Sequence, residues 1–202
     1  MEDFDAMAKD FDTDRRQNRA QTLADRLRPY VGPNKTGLEF GCGTGLVGLA
    51  MADCFASLLL VDSSAGMIAQ VEQKLAHLQK PNISALCCDL LTDPPEGLAV
   101  DVIFMSLVLH HIADTAAAFA RFHSLLKPGG CLLVVDLDTD IDGGFHRKYP
   151  DFTGHNGFAR DELICLAKQA GFAATTQDMY TDYKMTDGTE RAYTLFLLVA
   201  KK

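Results

Sequence analysis

Apolar positions along the chain follow two rhythms. Phe4, Met7, Ala8 and Phe11 sit three or four residues apart, which predicts one face of a short helix. Ala20, Leu23, Ala24 and Leu27 repeat that spacing, so a second helix is expected over 14–28. Pro29 ends it, because the residue before a proline resists the helical conformation. Short continuous apolar runs predict strands at 37–40, 57–62, 83–89, 101–108 and 131–137, and unbroken runs such as SLLLVD suit strands buried on both faces. Helices are expected between them over 45–53, 63–79 and 114–126, the last stopped by KPGG at 127–130. After a long connection at 138–158, a helix over 160–170 is closed by Gly171, and strands at 173–185 and 191–200 flank a TDGTE turn.

Strands alternating with helices predict an α/β fold: a doubly wound, mostly parallel sheet with helices on both faces. The close hairpin at the end adds an antiparallel strand. No repeat, low-complexity tract or flexible linker interrupts the pattern, so 1–202 reads as one domain.

In open sheets of this kind ligands bind beyond the carboxyl ends of the strands, so the residues there carry the candidate chemistry. Gly41, Gly43 and Gly45 follow the first strand and precede a helix, with Glu39 two residues before them. Glycines there let the backbone turn sharply and approach a ligand, and the helix start that follows favours a negative group. The loop is GxGxG, not the dinucleotide GxGxxG, because residue 46 is Leu. The second strand ends in Asp62, whose carboxylate can accept two hydrogen bonds from ribose hydroxyls. The third ends in Asp89, placed for an adenine amino group, with Cys88 and Leu90 beside the base. Asp62 also fits as a helix cap and Asp89 as a solvated loop acid.

These residues, in LEFGCGTG (38–45), LLLVDSSAGMI (58–68), CCDL (87–90), DVIFMSLVLHHI (101–112) and LLKPGGCLLVVDL (125–137), resemble the class I S-adenosylmethionine-dependent methyltransferases. The resemblance is close over 35–137 and looser through NGFARDELICLAKQAGF (156–172) to the end. It implies a seven-stranded sheet in the order 3-2-1-4-5-7-6, with the last strand antiparallel. It implies S-adenosylmethionine as cofactor, S-adenosylhomocysteine as product, and a methyl transfer. By match, Glu39, Gly41, Cys42 and Gly43 hold the methionine part, Asp62 the ribose, and Asp89 with Leu90 the adenine. Ser63 and Met67 flank the adenosine, and the Ser106 carbonyl accepts the cofactor's amino group. The chain then divides into a helical cap (1–34), a cofactor-binding half (35–137), an acceptor-side loop (138–158) and a closing helix and hairpin (159–202). An NAD(P)-dependent oxidoreductase and a non-catalytic cofactor-binding protein are the alternatives. The leucine at 46 and the missing second domain weigh against the first.

Departure of a neutral thioether needs little acid catalysis, so a base matters only if the acceptor must lose a proton. His110 and His111 follow the fourth strand, and neighbours on a helix face different ways. His111 is the expected base. The 138–158 loop carries His146, Tyr149 and His155, with Gly143, Gly144, Gly154 and Gly157 as hinges. Over an acceptor pocket it would supply His155 as a second catalytic residue. Asp138, Asp140, Asp142 and Gly143 open like a calcium loop, but the twelfth position is Tyr149, so no metal is expected. The place after the fourth strand reads SLVLHH instead of the (N/D)PPY run of family members that methylate base amines or protein glutamine.

Composition then narrows the partners. With 19 Lys and Arg against 27 Asp and Glu the net charge is −8, which disfavours a nucleic-acid surface. No apolar run is long enough to span a membrane, and the start MEDFDAMAKDFD is no leader, so a cytoplasmic monomer or homodimer is expected. Six scattered cysteines without a CxxC pair read as buried free thiols. The acidic balance, with Asp138, Asp140 and Asp142 beside the acceptor entrance, points to a neutral or cationic small-molecule acceptor.

Overall fold

The computed structural model describes residues 3–147, 149, 151–186 and 188–202. Met1 and Glu2 of the acidic start, Lys148 and Pro150 of the long loop, and Asp187 of the terminal turn lie outside the described residues.

The chain begins with the one-turn helix α1 (Phe4–Met7), a 3-10 turn (Ala8–Asp10) and α2 (Asp14–Leu27). The single apolar face expected across 4–11 is thus broken between two short turns. Thr13 caps α2 by accepting the Arg16 N–H. The sheet is built from β1 (Thr36–Phe40), β2 (Ser57–Asp62), β3 (Ile83–Cys87), β4 (Val100–Ser106), β5 (Leu126–Leu137), β6 (Ala173–Thr186) and β7 (Thr189–Lys201). Between them lie α3 (Leu46–Ala50), α4 (Ala65–Leu78), α5 (Thr115–Leu125) and α6 (Arg160–Gln169). The strand order is 3-2-1-4-5-7-6. Strands β1 to β5 pair in parallel, and β7 runs antiparallel to both β5 and β6. This is the doubly wound, mostly parallel sheet that the sequence pattern predicts.

Alternation along the central strands divides the core in two. Val102, Phe104, Leu133 and Val135 pack on α2, α3 and α4. Ile103, Met105, Leu132 and Val134 face α5 and α6, where Phe119, Phe122 and Leu163 are fully enclosed.

Several boundaries differ from expectation; β3 stops at Cys87, two residues short of Asp89, which therefore lies in the loop beyond it. KPGG does not lie outside the fifth strand, because β5 already begins at Leu126. Pairing with β4 skips there from Leu126 to Cys131, so Pro128 and its glycines occupy an irregularity instead of a ladder position. β4 stops at Ser106, since Leu107 turns to φ +56°. The terminal turn is tighter than TDGTE, with β6 reaching Thr186 and β7 starting at Thr189. All six cysteines are free, but only Cys42 and Cys131 are buried; Cys87 and Cys165 are exposed. Among the described residues no helix is long and apolar enough to cross a membrane.

Candidate functional site

The carboxyl ends of β1, β2 and β4, with the chain just after β3, surround a cavity of about 450 Å³. Its wall contains all ten residues singled out for a cofactor: Glu39, Gly41, Cys42, Gly43, Asp62, Ser63, Met67, Asp89, Leu90 and Ser106. Backbone geometry explains the loop after β1. Gly41 has φ +64°, and a Cβ there would come within 2.6 Å of the Val108 side chain.

Asp62 ties the loop to β2. Its Oδ2 accepts the Gly43 N–H at 2.7 Å, and its Oδ1 accepts the Ser64 N–H at 2.9 Å. The Ser63 N–H also acts on this carboxylate, so three backbone donors orient it at the cavity wall. Burial raises the Asp62 pKa, while the backbone donors oppose that rise. Helix α4, capped by the Ser64 hydroxyl, starts immediately beyond it. Asp89 is exposed, and its Oδ1 closes the local turn by accepting the Leu91 N–H at 3.0 Å.

Glu39 lies under the loop rather than in the open. It is 2% exposed and accepts the Gly48 N–H at 3.0 Å. Burial, with the Asp62 charge adding to it, pushes its carboxyl up to about 8, so it is largely protonated at neutral pH. The Cys42 thiol is likewise pushed up by burial, which makes it inert packing.

The segment before α2 roofs this cavity. Phe4 and Phe11 line it, and two acids latch the segment down. Asp5 accepts the Ser64 hydroxyl at 2.6 Å and the Gly66 N–H at 2.7 Å. Asp12 accepts the Thr44 hydroxyl and pairs with Lys74 at 2.6 Å. Farther along, Arg15 and Arg19 of α2 each reach the buried Asp182 of β6 at 2.9 Å. Sequence reasoning missed all three acids. Asp5 and Asp12 stood in the acidic start as charge alone, and nothing local marks Asp182.

A second cavity of about 260 Å³ adjoins the first and shares Phe4, Phe11, Arg16, Arg19, Leu107 and His111 with it. His111 therefore stands at the junction. Solvent reaches part of its ring, but burial of the rest and the neighbouring His110 lower its pKa to about 4, so it is neutral at pH 7. The turn that carries it is held from behind. Fully buried Asp136 accepts the His110 ring Nδ1–H at 2.6 Å, the His110 backbone N–H at 3.2 Å and the Leu137 N–H at 2.8 Å. Asp136, the last residue but one of β5, is an acid near a strand end, a signal the sequence reading passed over.

The 138–158 loop splits in its placement. His146 and Tyr149 line the second cavity. His146 stacks on Phe152 with centroids 3.8 Å apart, and burial lowers its pKa to about 4. His155 does not join them and lines neither cavity. Its ring bonds the Ile112 carbonyl at 3.0 Å and its N–H donates to the His110 carbonyl at 2.8 Å, which clamps the loop onto the turn after β4. The three loop acids are also elsewhere. Asp138 forms a paired contact with Arg160, Asp140 accepts the Phe145 N–H at 2.8 Å, and Asp142 meets Arg191. They line a separate hollow of about 260 Å³ and not the cavity beside His111.

Residues 38–132 match a family model described as a methyltransferase domain. An uncharacterized 37.1 kDa protein in a transposon of Streptomyces fradiae is 31% identical over 157 residues, covering 71% of this chain and 45% of that protein. An uncharacterized methyltransferase of Schizosaccharomyces pombe is 29% identical over 153 residues, covering 67% of this chain and 52% of its own. The chain thus spans about half the length of the curated relatives it matches. A methyltransferase from Aquifex aeolicus, described as dependent on S-adenosylmethionine, shares the fold with TM-score 0.70 and 16% identity, over 98% of this chain and 97% of that one. The sequence match to methyltransferases, carried on the 3-2-1-4-5-7-6 sheet, shows that this chain belongs to the class I S-adenosylmethionine-dependent methyltransferases.

Proposed function

We propose that the chain binds S-adenosylmethionine in the larger cavity and methylates a small molecule held in the smaller one. The observation that carries this reading is the convergence on one cavity of the glycine loop after β1, Asp62 at the end of β2 and Asp89 in the loop after β3. The donor set fits the cofactor. Asp62 offers its remaining acceptor capacity to the ribose hydroxyls. Asp89, with Cys88 and Leu90, faces the adenine, and Ser63 and Met67 flank the adenosine. Gly41 and Gly43 leave room for the methionine part, and Ser106 supplies a carbonyl to its amino group. When bound there, S-adenosylmethionine supplies an electrophilic methyl group whose leaving group is a neutral thioether.

The chain's own contribution is positioning and exclusion of water. Phe4 and Phe11 close both cavities from above. Asp136 and His110 fix the turn that aims His111 at the junction. A neutral His111 ring accepts a proton at its unprotonated nitrogen from an acceptor that must lose one. In this reading 1–34 is the cap, 35–137 the cofactor half, 138–158 the acceptor-side loop and 159–202 the closing unit.

Calorimetric titration tests it. Micromolar binding of S-adenosylmethionine and S-adenosylhomocysteine, with none of NADH, is the expected result. Tight NADH binding without either methionine cofactor would overturn it. Release of S-adenosylhomocysteine in a screen of small phenols, amines, thiols and acids then separates a catalyst from a cofactor-binding protein.

A further inference from the structure

We infer that His110, backed by Asp136, holds the proton that leaves the acceptor, and that the acceptor in the smaller cavity is therefore a hydroxyl methylated on oxygen, an inference that rests on the functional reading above. His111 stands at the junction, but burial and the neighbouring His110 keep its pKa at about 4, so at pH 7 it gives a proton up readily. His110 lies beside it, with ring centroids 4.2 Å apart, and lines the same smaller cavity. Its setting differs. The Asp136 carboxylate, 0% exposed, sits 2.6 Å from Nδ1 and has no Lys or Arg partner among the described residues. A carboxylate only accepts, so Nδ1 carries the hydrogen and Nε2 of the neutral ring is the basic nitrogen. The His110 and Leu137 backbone N–H groups hold the carboxylate in place. A histidine oriented by a buried carboxylate in this way is the arrangement of a general base. A proton arriving at Nε2 turns the Nδ1 contact into a charge-assisted hydrogen bond.

Nε2 is open for that role. No group among the described residues bonds it, and the single buried side-chain polar atom without a partner is Nδ1 of His146, so His110 Nε2 opens onto the cavity that its ring lines. The orphan itself belongs to the same wall. His146 is 5% exposed, its ring centroid lies 4.9 Å from that of His110, and its bond to Asn156 leaves Nδ1 unused. Buried polar atoms are nearly always paired in folded proteins, so an orphan beside an open base marks where a polar group of a ligand sits.

A hydroxyl is the acceptor this pair serves. A neutral amine attacks with its lone pair and sheds its proton afterwards, whereas a hydroxyl oxygen is a poor nucleophile until its proton leaves. The acceptor's O–H bond breaks and its proton goes to Nε2 of His110. The freed electron pair on oxygen forms the bond to the methyl carbon, and the carbon–sulfur bond breaks with its pair kept by sulfur. The products are a methyl ether, S-adenosylhomocysteine and a His110 imidazolium, which then yields its proton to water.

The test uses the purified chain saturated with S-adenosylhomocysteine and para-nitrophenol as probe, in buffer acidic enough that the free phenol stays mostly protonated. The phenolate band in the visible spectrum is read together with ring-nitrogen NMR of isotope-labelled histidine. The bound probe should show at least about a threefold excess of phenolate over the free probe, with the proton found on His110 Nε2. His110→Gln should abolish the excess, and the NMR signal of the parent reads the same proton even where that variant does not fold. Turnover separates a base from a strut. Phenols should be methylated faster than amines of the same size, and His110→Gln should lower kcat about a hundredfold with KM changed less than about threefold. A bound probe without excess phenolate overturns the inference. So does a probe that fails to bind by ~10 mM, a proton resting on His111 or His146, or a preference for amines. If S-adenosylhomocysteine binds and these results go the other way, the inference alone falls. If S-adenosylhomocysteine does not bind, the reading beneath it falls too.

Discussion

Replacing Glu39 by Gln should change how stability depends on pH, with a magnitude set by the burial of one carboxyl group. Glu39 is 2% exposed, accepts one backbone N–H from Gly48, and has no Lys or Arg partner among the described residues. Its ordinary pKa of 4.5 is pushed up to about 8, mainly by burial. Between those values the folded chain keeps a proton that the unfolded chain has released. The group's contribution is therefore fully present below pH 4.5 and is lost as pH rises to about 8. Over that interval the loss amounts to roughly 4–5 kcal/mol. Gln keeps the acceptor for the Gly48 N–H and cannot ionise.

His111 and His146 run the other way. Both are held neutral in the fold, so their contribution is lost as pH falls from 6.5 towards about 4. The parent curve is thus a composite, and the difference between parent and variant isolates Glu39. Urea unfolding of both cofactor-free proteins at pH 5, 6, 7 and 8 supplies it. The variant should gain on the parent by about 3 kcal/mol or more between the extremes. A relative gain below about 1 kcal/mol would refute the assignment of a protonated, buried Glu39.

Three other substitutions probe separate parts of the site. Asp62→Asn must turn its amide N–H₂ towards either the Gly43 or the Ser64 donor, so S-adenosylhomocysteine affinity should fall about tenfold or more; unchanged affinity in calorimetry would remove the ribose role. Gly48→Ala raises helix propensity, yet its Cβ would lie 2.3 Å from the Glu39 carboxyl and 2.4 Å from Leu60. A net loss of about 2 kcal/mol is expected in urea unfolding, and a more stable variant would contradict the packing argument. His155→Ala should lower stability by about 1 kcal/mol through its lost bond to the Ile112 carbonyl while leaving cofactor affinity intact; a fall in cofactor affinity at unchanged stability would restore it to the site.

What the sequence made legible was local or periodic. Runs such as SLLLVD and CLLVVDL carry the strands because residues buried on both faces must be apolar throughout. Gly41, Asp62 and Asp89 were visible because strand ends in a parallel sheet face one ligand crevice, and spacing along the chain suffices to find them. Contacts between distant segments left no such trace. Nothing near Asp182 announces that two arginines, 163 and 167 residues earlier, will meet it. The acids at 138, 140 and 142 looked like an entrance because a run of charge is read without its partners; Arg160 takes Asp138, Arg191 takes Asp142 and the Phe145 N–H takes Asp140, away from the acceptor side. His155 failed for a related reason. A histidine in a long loop suggests chemistry, and only the fold shows its ring bonded to a backbone carbonyl.

The latched roof has a kinetic consequence. Phe4 and Phe11 of the latched segment wall both cavities, so on the proposed reading that one segment must open for either ligand. If the two cavities hold cofactor and acceptor as proposed, exchange of the spent cofactor and departure of the product would share a single opening event, limited by breaking the Asp5 and Asp12 contacts. At high ligand concentration the observed entry rate should level off at the rate of that opening.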